Sequence, residues 1–366
     1  MFVEGRGTLL ALEHLDMEQH MMVGERLARA VLRAARGVAQ AGIASRPALN
    51  VARILGVRRA TIFMLHRFTD GGSPAYGTDV AMLRRMLATL RRQGVQFMRL
   101  RDLMAHVESR TELRRPTAVF TVDDGYHDFA DLAAPIFAGF DCAPTVFLVT
   151  EFVGGRQWNW WDRVRLAFLR SPLMAVSIRV EDRRFSCLLG TPAERDARAT
   201  EFIESLKWVS DAERLRFVDR IGALLGIDVP ALPTADYAPL SWEDVRALER
   251  QGVDFGPHSL THPVLSRVDD EKARLEIAGS WDVLRRECAD PAPLFCYPNG
   301  SLDSFGAREM GIVRDAGMSG AVAFRRRYVD PRTCSAEDRF CLSRFPAPED
   351  VLSAGYLASG LAWDGE

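Results

Sequence analysis

Two adjacent carboxylates stand where an apolar run ends, in the segment Thr121-Val122-Asp123-Asp124-Gly125. Burying them is costly unless a cation or several hydrogen-bond donors offset their charges. Side chains alternate along a strand, but Gly125 permits a sharp turn that brings both carboxylates towards one centre. A divalent metal would then hold one carboxylate while the other remains a base. The alternative is an Asp-Asp-Gly turn that only opens a loop.

A pair of histidines follows a second apolar run. His258 and His262 are four residues apart, so on one helical turn they would face the same way, as a chelating pair does. Pro257 and Pro263 restrict the backbone on both sides of the pair. This spacing also arises by chance, but the chain has only seven histidines and two of them lie here.

The third segment, 295–300, is an apolar strand end that runs into a Pro/Gly turn. Such a turn either aims a backbone N–H into a pocket, as an oxyanion hole requires, or is simply tight. Together, one carboxylate and two imidazoles make a three-ligand metal set that leaves positions open for water and substrate. A spare carboxylate beside that set would act as a base, which completes the apparatus for metal-assisted hydrolysis.

These segments lie in a chain whose apolar runs alternate with amphipathic stretches. Strands are predicted at 60–65, 96–100, 117–122, 145–149, 253–256, 294–297, 320–324 and 340–345. The alternation predicts parallel βα units, in which catalytic groups collect at the carboxyl ends of the strands. Residues 153–238 depart from this pattern and predict a mainly helical insertion with one hairpin.

The amino-terminal part, residues 1–55, predicts a helical segment over 8–41 and a linker at Ser45–Asn50. Four arginines, at positions 26, 29, 33 and 36, share one face of that helix. The face is either solvated or a surface for peripheral membrane contact. Residues 351–366 are expected to form a carboxyl-terminal tail.

Composition limits the functions and cellular locations to be expected of this chain. A net charge of −2 over 366 residues gives no reason to expect nucleic-acid binding. Six scattered cysteines favour reduced thiols, and the first residues lack a basic segment followed by a long apolar stretch. Both features predict a cytoplasmic location, at the inner face of the membrane if the arginine face binds lipid.

In their order and separation, TVDDG, HSLTH and FCYPNG resemble the motifs of the polysaccharide deacetylase family, also called the NodB homology or carbohydrate esterase family 4 domain. The resemblance covers roughly residues 60–346, within a predicted barrel domain at 56–350. It implies a distorted (β/α)7 barrel and a hydrolase that removes N-acetyl groups from an amino sugar in a glycan or glycan precursor. It also implies one divalent metal ion, with zinc first and cobalt, manganese or iron as alternatives.

The resemblance also implies roles for individual residues. Asp123 is the general base, and the metal ligands are Asp124, His258 and His262. The backbone N–H of Tyr297 is the oxyanion donor.

Two positions depart from the family pattern. Cys296 stands where many members carry an arginine that steadies the base, and Arg344 is the candidate substitute. Many members also have a late histidine that serves as general acid, whereas no histidine follows His262 here. His66, which ends the first strand, is similar to the form in which that motif moves to the front of the domain. In a closed barrel the first and last strands are neighbours, so either can supply the acid; alternatively, His66 only caps its strand.

Further candidates for substrate contact are Trp161, Asp162 and His127, together with Arg344. The first two belong to an aromatic cluster in the insertion, which either lines a sugar cleft or packs the core. Two rival functions use the same residues. One is a catalytically inactive glycan-binding member of the fold, and the other is a non-haem iron enzyme, whose Asp/His/His set normally lies on a β-sandwich.

Overall fold

The computed structural model describes residues 45–71, 76–181 and 183–362. The predicted helix over 8–41 and its arginine face lie outside these ranges. Within them, no helix is both long and apolar enough to cross a bilayer.

A parallel sheet forms the centre of the molecule. Its strands are β1 Ala60–Leu65, β4 Gln96–Phe97, β5 Thr117–Val122, β6 Thr145–Leu148, β9 Asp254–Pro257, β10 Leu294–Cys296, β11 Gly320–Phe324 and β12 Leu342–Pro346. Two short strands, β2 Phe68–Thr69 and β3 Thr78–Asp79, pair with each other beside it. The main path through the sheet runs β10-β11-β12-β1-β5-β6-β9, and β4 adds to the edge of β5.

The path curls until its two end strands meet, which makes a nearly closed barrel of seven strands. Strand β9 approaches β10 through a hydrogen bond from Ala292 N–H to the Phe255 carbonyl, 2.7 Å long. Gly256 permits this approach, because a Cβ there would lie 2.6 Å from the Leu294 carbonyl oxygen. The predicted distorted (β/α)7 barrel is thereby confirmed.

Helices surround the barrel or belong to the segment between β6 and β9. They are α1 Ser45–Ile54, α2 Val80–Arg92, α3 Leu100–Ser109, α4 Ala134–Gly139, α5 Thr150–Val153, α6 Trp160–Arg170, α7 Pro192–Leu206, α8 Asp211–Leu225, α9 Trp242–Arg250, α10 Asp270–Glu287, α11 Ala307–Asp315 and α12 Val351–Ala358. Single turns of 3-10 or π helix lie at Phe129–Ala133, Ala235–Tyr237, Leu265–Arg267 and Asp338–Cys341.

The strands are buried on both faces because helices cover the outside of the barrel and side chains fill the inside. Every residue of β5 is buried, as its continuous apolar sequence predicts. Strand β5 pairs in register with β1, so that Leu65 lies beside Val122. The residues that follow the two strands, His66 and Asp123, therefore emerge at the same end of the barrel.

Between β6 and β9 the chain leaves the barrel and builds a separate layer. Helices α6, α7 and α8 pack around the hairpin β7 Ala175–Val180 and β8 Arg183–Leu188. Phe168, Phe202 and Ile221 belong to the core of this layer, which is distinct from the barrel core. The flanking strands β6 and β9 remain hydrogen-bonded neighbours.

Both ends of the described chain differ locally from the sequence-based expectation. The predicted linker Ser45–Asn50 is wrong in its secondary structure, because it begins helix α1. Pro47 is tolerated there since the first turn of a helix has no partner for its N–H. The expected tail begins with α12, which packs against α1 and α2. The domain boundaries themselves stay predictions.

Candidate active site

The three predicted motifs meet at the carboxyl ends of the barrel strands. A cavity of about 500 Å³ opens there, and both aspartates and both histidines line it. His66 follows β1, Asp123 follows β5 and Arg344 lies within β12, so neighbouring strands bring all three to one rim. The wall on the other side comes from the insertion.

The Asp-Asp-Gly turn bends as the sequence predicts. Asp124 has a φ of 75° and Gly125 a φ of 91°, so two successive residues occupy the left-handed region. At Gly125 a Cβ would come within 2.8 Å of the Leu148 side chain, so another residue type would have to displace that side chain and adopt a strained φ. Both carboxylates consequently turn into the cavity, although they are adjacent in sequence.

Asp124, His258 and His262 form one cluster of potential ligands. Asp124 Oδ1 lies 3.7 Å from Nε2 of His258 and 3.8 Å from Nε2 of His262. These separations are too long for hydrogen bonds and close to the ~3.3 Å edge of a tetrahedron with metal–ligand bonds of about 2.05 Å. All three residues are buried, so a cation held between them would be screened from solvent.

The electrostatics of this cluster suit a cation. Burial, with the neighbouring Asp123 charge, raises the pKa of Asp124 well above its ordinary value when no cation is present. Burial lowers the pKa of His258 to about 4 and that of His262 well below its usual range, so both imidazoles are neutral at neutral pH. The Cys296 carbonyl lies 2.7 Å from Nδ1 of His258, which accounts for the proton on Nδ1 and leaves the Nε2 lone pair free. The donor set therefore fits a divalent metal.

The histidine segment is a loop and not the helical turn expected from its spacing. Ser259 and His262 have φ values of 66° and 56°, which a helix excludes. The buried carboxylate of Glu276 holds this loop by accepting hydrogen bonds from the backbone N–H groups of Leu260 and Thr261, at 2.9 and 2.8 Å. The two imidazoles still face one centre, because the loop geometry replaces the helical period.

Asp123 is paired with Arg344 across the barrel. The guanidinium Nη1 lies 2.7 Å from Asp123 Oδ1, and both side chains are only 2% exposed. Burial alone would raise the pKa of Asp123, but the adjacent Arg344 charge outweighs it and holds this pKa well below its ordinary value. Arg344 Nη2 also lies 3.1 Å from the Cys296 sulfur. Arg344 therefore lies beside both Asp123 and Cys296. This is where a substitute for the family arginine, whose position Cys296 occupies, is expected.

His66 stands on the solvent side of the same carboxylate. Its Nε2 is 3.8 Å from Asp123 Oδ2, and its side chain is 45% exposed. The ring lines the cavity, so it faces the site instead of merely closing the end of β1.

The predicted oxyanion donor is less available than expected. The Tyr297 N–H donates to the Val322 carbonyl at 3.3 Å, a long bond that continues the β10–β11 pairing. The Tyr297 hydroxyl, in turn, donates to the Phe340 carbonyl and its ring stacks on Phe305, so the side chain serves the core. The neighbouring Asn299 lines the cavity, and its buried side-chain nitrogen has no hydrogen-bond partner within the described ranges.

The candidate substrate contacts separate into two groups. Trp161 lines the cavity and packs its ring against His262, with centroids 4.4 Å apart. Asp162 is completely buried and accepts a 2.6 Å hydrogen bond from the Tyr126 hydroxyl. The expectation that Asp162 contacts a sugar is therefore wrong, because no solvent-facing surface remains. Its effect on the site is indirect, since the same hydroxyl accepts from Nε1 of Trp161 at 3.0 Å.

His127 also lies away from the cavity. Its ring nitrogens face Asp131 and Asp244, at 3.4 and 3.5 Å, and its backbone N–H donates to the Ala238 carbonyl. The π-helical turn that begins at Phe129 carries the chain outward directly after the Asp-Asp-Gly segment. Closeness in sequence was the only basis for placing His127 at the site, and the structure does not bear out that placement.

Several cavity residues carried no recognisable signal in the sequence. They are Arg165, Glu204, Lys207, Trp208 and Arg267. Most belong to the insertion or to loops, where neither motif nor periodicity indicates which side chains meet. The cavity-lining Asn299 could have been predicted from its Pro-Asn-Gly turn, because asparagine tolerates the left-handed φ of 62° observed there.

The fold and the site together are a (β/α)7 barrel with an Asp/His/His cluster at the carboxyl ends of its strands. Comparisons with known proteins agree with it. The family model "Polysaccharide deacetylase" matches residues 184–319, which contain the histidine and FCYPNG motifs. A search of curated proteins finds no match.

Two solved structures share the fold over most of their length. One is the Streptococcus pyogenes deacetylase PplD in complex with acetate, at 15% identity and a TM-score of 0.53, covering 83% of this chain and 98% of that one. The other is IcaB from Ammonifex degensii, at 16% identity and a TM-score of 0.51, covering 83% and 97%. These two structures show a shared fold, and the family match confirms the resemblance to the polysaccharide deacetylases predicted from the motifs. The predicted enzyme class, a hydrolase of the polysaccharide deacetylase type, is that of the matched family.

Proposed function

We propose that this chain is a metal-dependent hydrolase that removes N-acetyl groups from an amino sugar in a glycan or glycan precursor. The observation that carries the proposal is the convergence of the Asp124–His258–His262 cluster and the Asp123–Arg344 pair in one cavity. The barrel also differs from the β-sandwich expected for the iron-enzyme alternative.

Asp124, His258 and His262 would hold the metal, which we propose to be zinc, with cobalt, manganese or iron as alternatives. When bound, such an ion polarises the acetyl carbonyl and lowers the pKa of a water molecule beside it. The three ligands are positioned in advance by the Asp-Asp-Gly turn, the Glu276-held loop and the bond from His258 Nδ1 to the Cys296 carbonyl. Little reorganisation is therefore needed on binding.

Asp123 acts as the base that removes a proton from the attacking water. Arg344 engages Oδ1, which leaves Oδ2 directed between His66 and Cys296. The low pKa of Asp123 keeps the carboxylate ionised at neutral pH, and the salt bridge fixes its orientation. The water oxygen then forms a bond to the acetyl carbon.

Negative charge develops on the acetyl oxygen in this step and requires hydrogen-bond donors. The Tyr297 N–H can serve if it gives up its long bond to Val322. We infer that the Asn299 amide is a further donor, because its unpartnered nitrogen already lines the cavity. Unlike the backbone group, it breaks no existing bond when it turns towards the substrate.

His66 supplies the proton that the leaving amine needs, and the proton that Asp123 takes from the water is passed on to His66, whose Nε2 lies 3.8 Å from Asp123 Oδ2. The carbon–nitrogen bond breaks readily only when nitrogen is protonated, and an imidazole suits this transfer. Among the described histidines that line the cavity, His258 and His262 are assigned to the metal, which leaves His66. The products are acetate and a free amino sugar.

The decisive experiment combines acetate release with metal content. Purified protein loaded with Zn, Co, Mn or Fe should release acetate from N-acetylated sugars, and Asp123→Asn should retain the metal while losing about 10²–10⁴-fold in turnover. His258→Ala and His262→Ala should lose most of the metal. Full metal occupancy in both histidine variants would refute the ligand assignment. Sugar binding without acetate release would favour the glycan-binding alternative.

The remaining expectations stay predictions. They are the cytoplasmic location and the peripheral membrane contact through the arginine face at residues 26–36. Fractionation of cells that express the full chain, with and without residues 1–44, would test both.

A further inference from the structure

The insertion forms one wall of the cavity that contains the catalytic groups. Besides residues of α6, this wall includes Ile203 and Glu204 from the last turn of α7, and Lys207 and Trp208 from the turn that follows. The ligands and the base, by contrast, all come from barrel strands and their loops. A substrate bound at the base therefore lies in a cavity that the insertion helps to enclose.

Trp208 is an exposed aromatic residue in this wall. Its side chain is 52% exposed, whereas Trp160 in the same layer is buried. Isolated exposed apolar residues are common on protein surfaces and need no explanation. Trp208 differs because its exposed surface faces the same cavity as His66, His258 and His262.

Arg267, which also lines the cavity, contacts the Trp208 indole. Its guanidinium carbon lies 5.7 Å from the centre of the Trp208 ring, a distance suited to a cation–π contact. Arg267 ends the 3-10 turn that follows the histidine loop. The contact thus joins the insertion to the segment that carries the metal ligands, and it fixes the aromatic ring before any ligand arrives.

Charged groups flank the indole. Lys207 Nζ lies 2.6 Å from a Glu204 carboxylate oxygen, so an acceptor and a donor stand together at the cavity wall. Both residues of this pair line the same cavity as His66 and His262. An apolar ring face beside paired polar groups is complementary to a pyranose, which has an apolar C–H face and a rim of hydroxyls.

We propose that Trp208, supported by Arg267 and flanked by Glu204 and Lys207, is a second sugar-binding subsite, which takes the pyranose unit next to the acetylated one. The substrate is then an oligosaccharide, and a free monosaccharide leaves this subsite empty. This inference rests on the proposed deacetylation, because it defines the unit held at the base. The cavity volume, about 500 Å³, lies in the range of sites that enclose ligands of this size.

The test compares a short and a long substrate. Acetate release is measured from N-acetylglucosamine and from its β-1,4- and β-1,6-linked tetramers, with wild-type protein and with Trp208→Ala. We expect the variant to lose roughly tenfold or more in kcat/KM on the better tetramer, mainly through KM, and to stay within about twofold on the monosaccharide. Trp208→Phe should recover most of the loss, since a ring remains.

A matched control is Leu215→Ala, which truncates another exposed apolar side chain of the insertion, 47% exposed, outside the cavity lining. It should leave both substrates unaffected. Equal losses on monosaccharide and tetramer in Trp208→Ala, or no loss on either, would overturn the subsite and leave the proposed activity standing.

Calorimetric binding of the tetramers provides a readout that does not depend on turnover. Weaker binding to Trp208→Ala, with no acetate released by wild-type protein, would support the subsite and refute the proposed deacetylation. Equal tetramer binding by wild type and Trp208→Ala would count against the subsite whatever the activity.

Discussion

Replacing Arg344 with methionine removes the only cation in direct contact with Asp123 among the described residues. The wild-type guanidinium lies 2.7 Å from Asp123 Oδ1 and 3.1 Å from the Thr121 hydroxyl, and both charged side chains are 2% exposed. Methionine keeps much of the length and apolar volume of the side chain. The substitution therefore leaves a buried carboxylate without its counter-charge.

The expected loss of stability follows from this burial. Breaking a buried ion pair by removing one partner costs about 3–5 kcal/mol, because the remaining charge is desolvated and unpaired. A surface pair gives the contrast. Arg332→Met breaks exposed bridges to Asp330 and Glu112, in which the arginine is 51% exposed, and should lower stability much less than Arg344→Met.

The loss should depend on pH with a definite sign. In wild-type protein the folded-state pKa of Asp123 lies below its unfolded value. Its contribution to the free energy of unfolding is therefore present above the unfolded pKa and is lost as pH falls through the folded pKa. Without Arg344, burial raises the folded pKa above the unfolded value. The contribution of Asp123 is then present below the unfolded pKa and is lost as pH rises through the new folded pKa. The two proteins should differ most at neutral pH and least in acid.

Urea unfolding in the presence of a chelator, at neutral pH and at about pH 4, measures this difference without a contribution from bound metal. The rate profile gives an independent check, because the acidic limb of kcat/KM should move to higher pH as the base becomes easier to protonate. Arg344→Lys, which keeps the charge, should show smaller changes in both. A loss below about 1 kcal/mol at neutral pH, with an unmoved acidic limb, would refute the role of this pair.

Three further outcomes are expected. His66→Ala should fold and bind metal but lose about 10²–10⁴-fold in turnover on an amide and much less on an activated ester; equal losses on both would mean that His66 is structural. Glu276→Ala should weaken metal binding and lower the free energy of unfolding by roughly 2–4 kcal/mol, since two loop N–H groups lose their acceptor. Glu271→Ala, on the exposed face of the same helix, should have neither effect. Removal of residues 1–55 should lower the melting temperature further than removal of residues 1–44, because α1 buries Ala48, Leu49 and Ala52. Equal melting temperatures of the two shortened proteins would show that this packing is dispensable.

Local sequence indicated the parallel βα units and the segments that form the central cluster, whereas the (β/α)7 barrel and the individual ligands were implied by the family resemblance. Strands such as β5 are continuous apolar runs, and each ends at the residue where polar chemistry begins. Because parallel strands place their carboxyl ends at one rim, Asp124, His258 and His262 could be expected to meet although they lie far apart in sequence. Short strands were harder to bound, since Gln96–Phe97 is held by pairing with β5 and has little apolar sequence of its own.

The tertiary structure alone decided how the groups around this cluster are used. Arg344, which the resemblance suggested as a substitute arginine, reaches Asp123 from 221 positions away because β12, β1 and β5 are neighbours in the barrel, and only the fold shows that contact. Asp162 follows a cavity-lining tryptophan directly, yet the turn of α6 buries one and exposes the other to the site. Strand periodicity and motifs report the local backbone, which determines where a side chain starts. What that side chain contacts depends on the packing of distant segments, and for Trp208 it depends on an insertion whose fold has its own core.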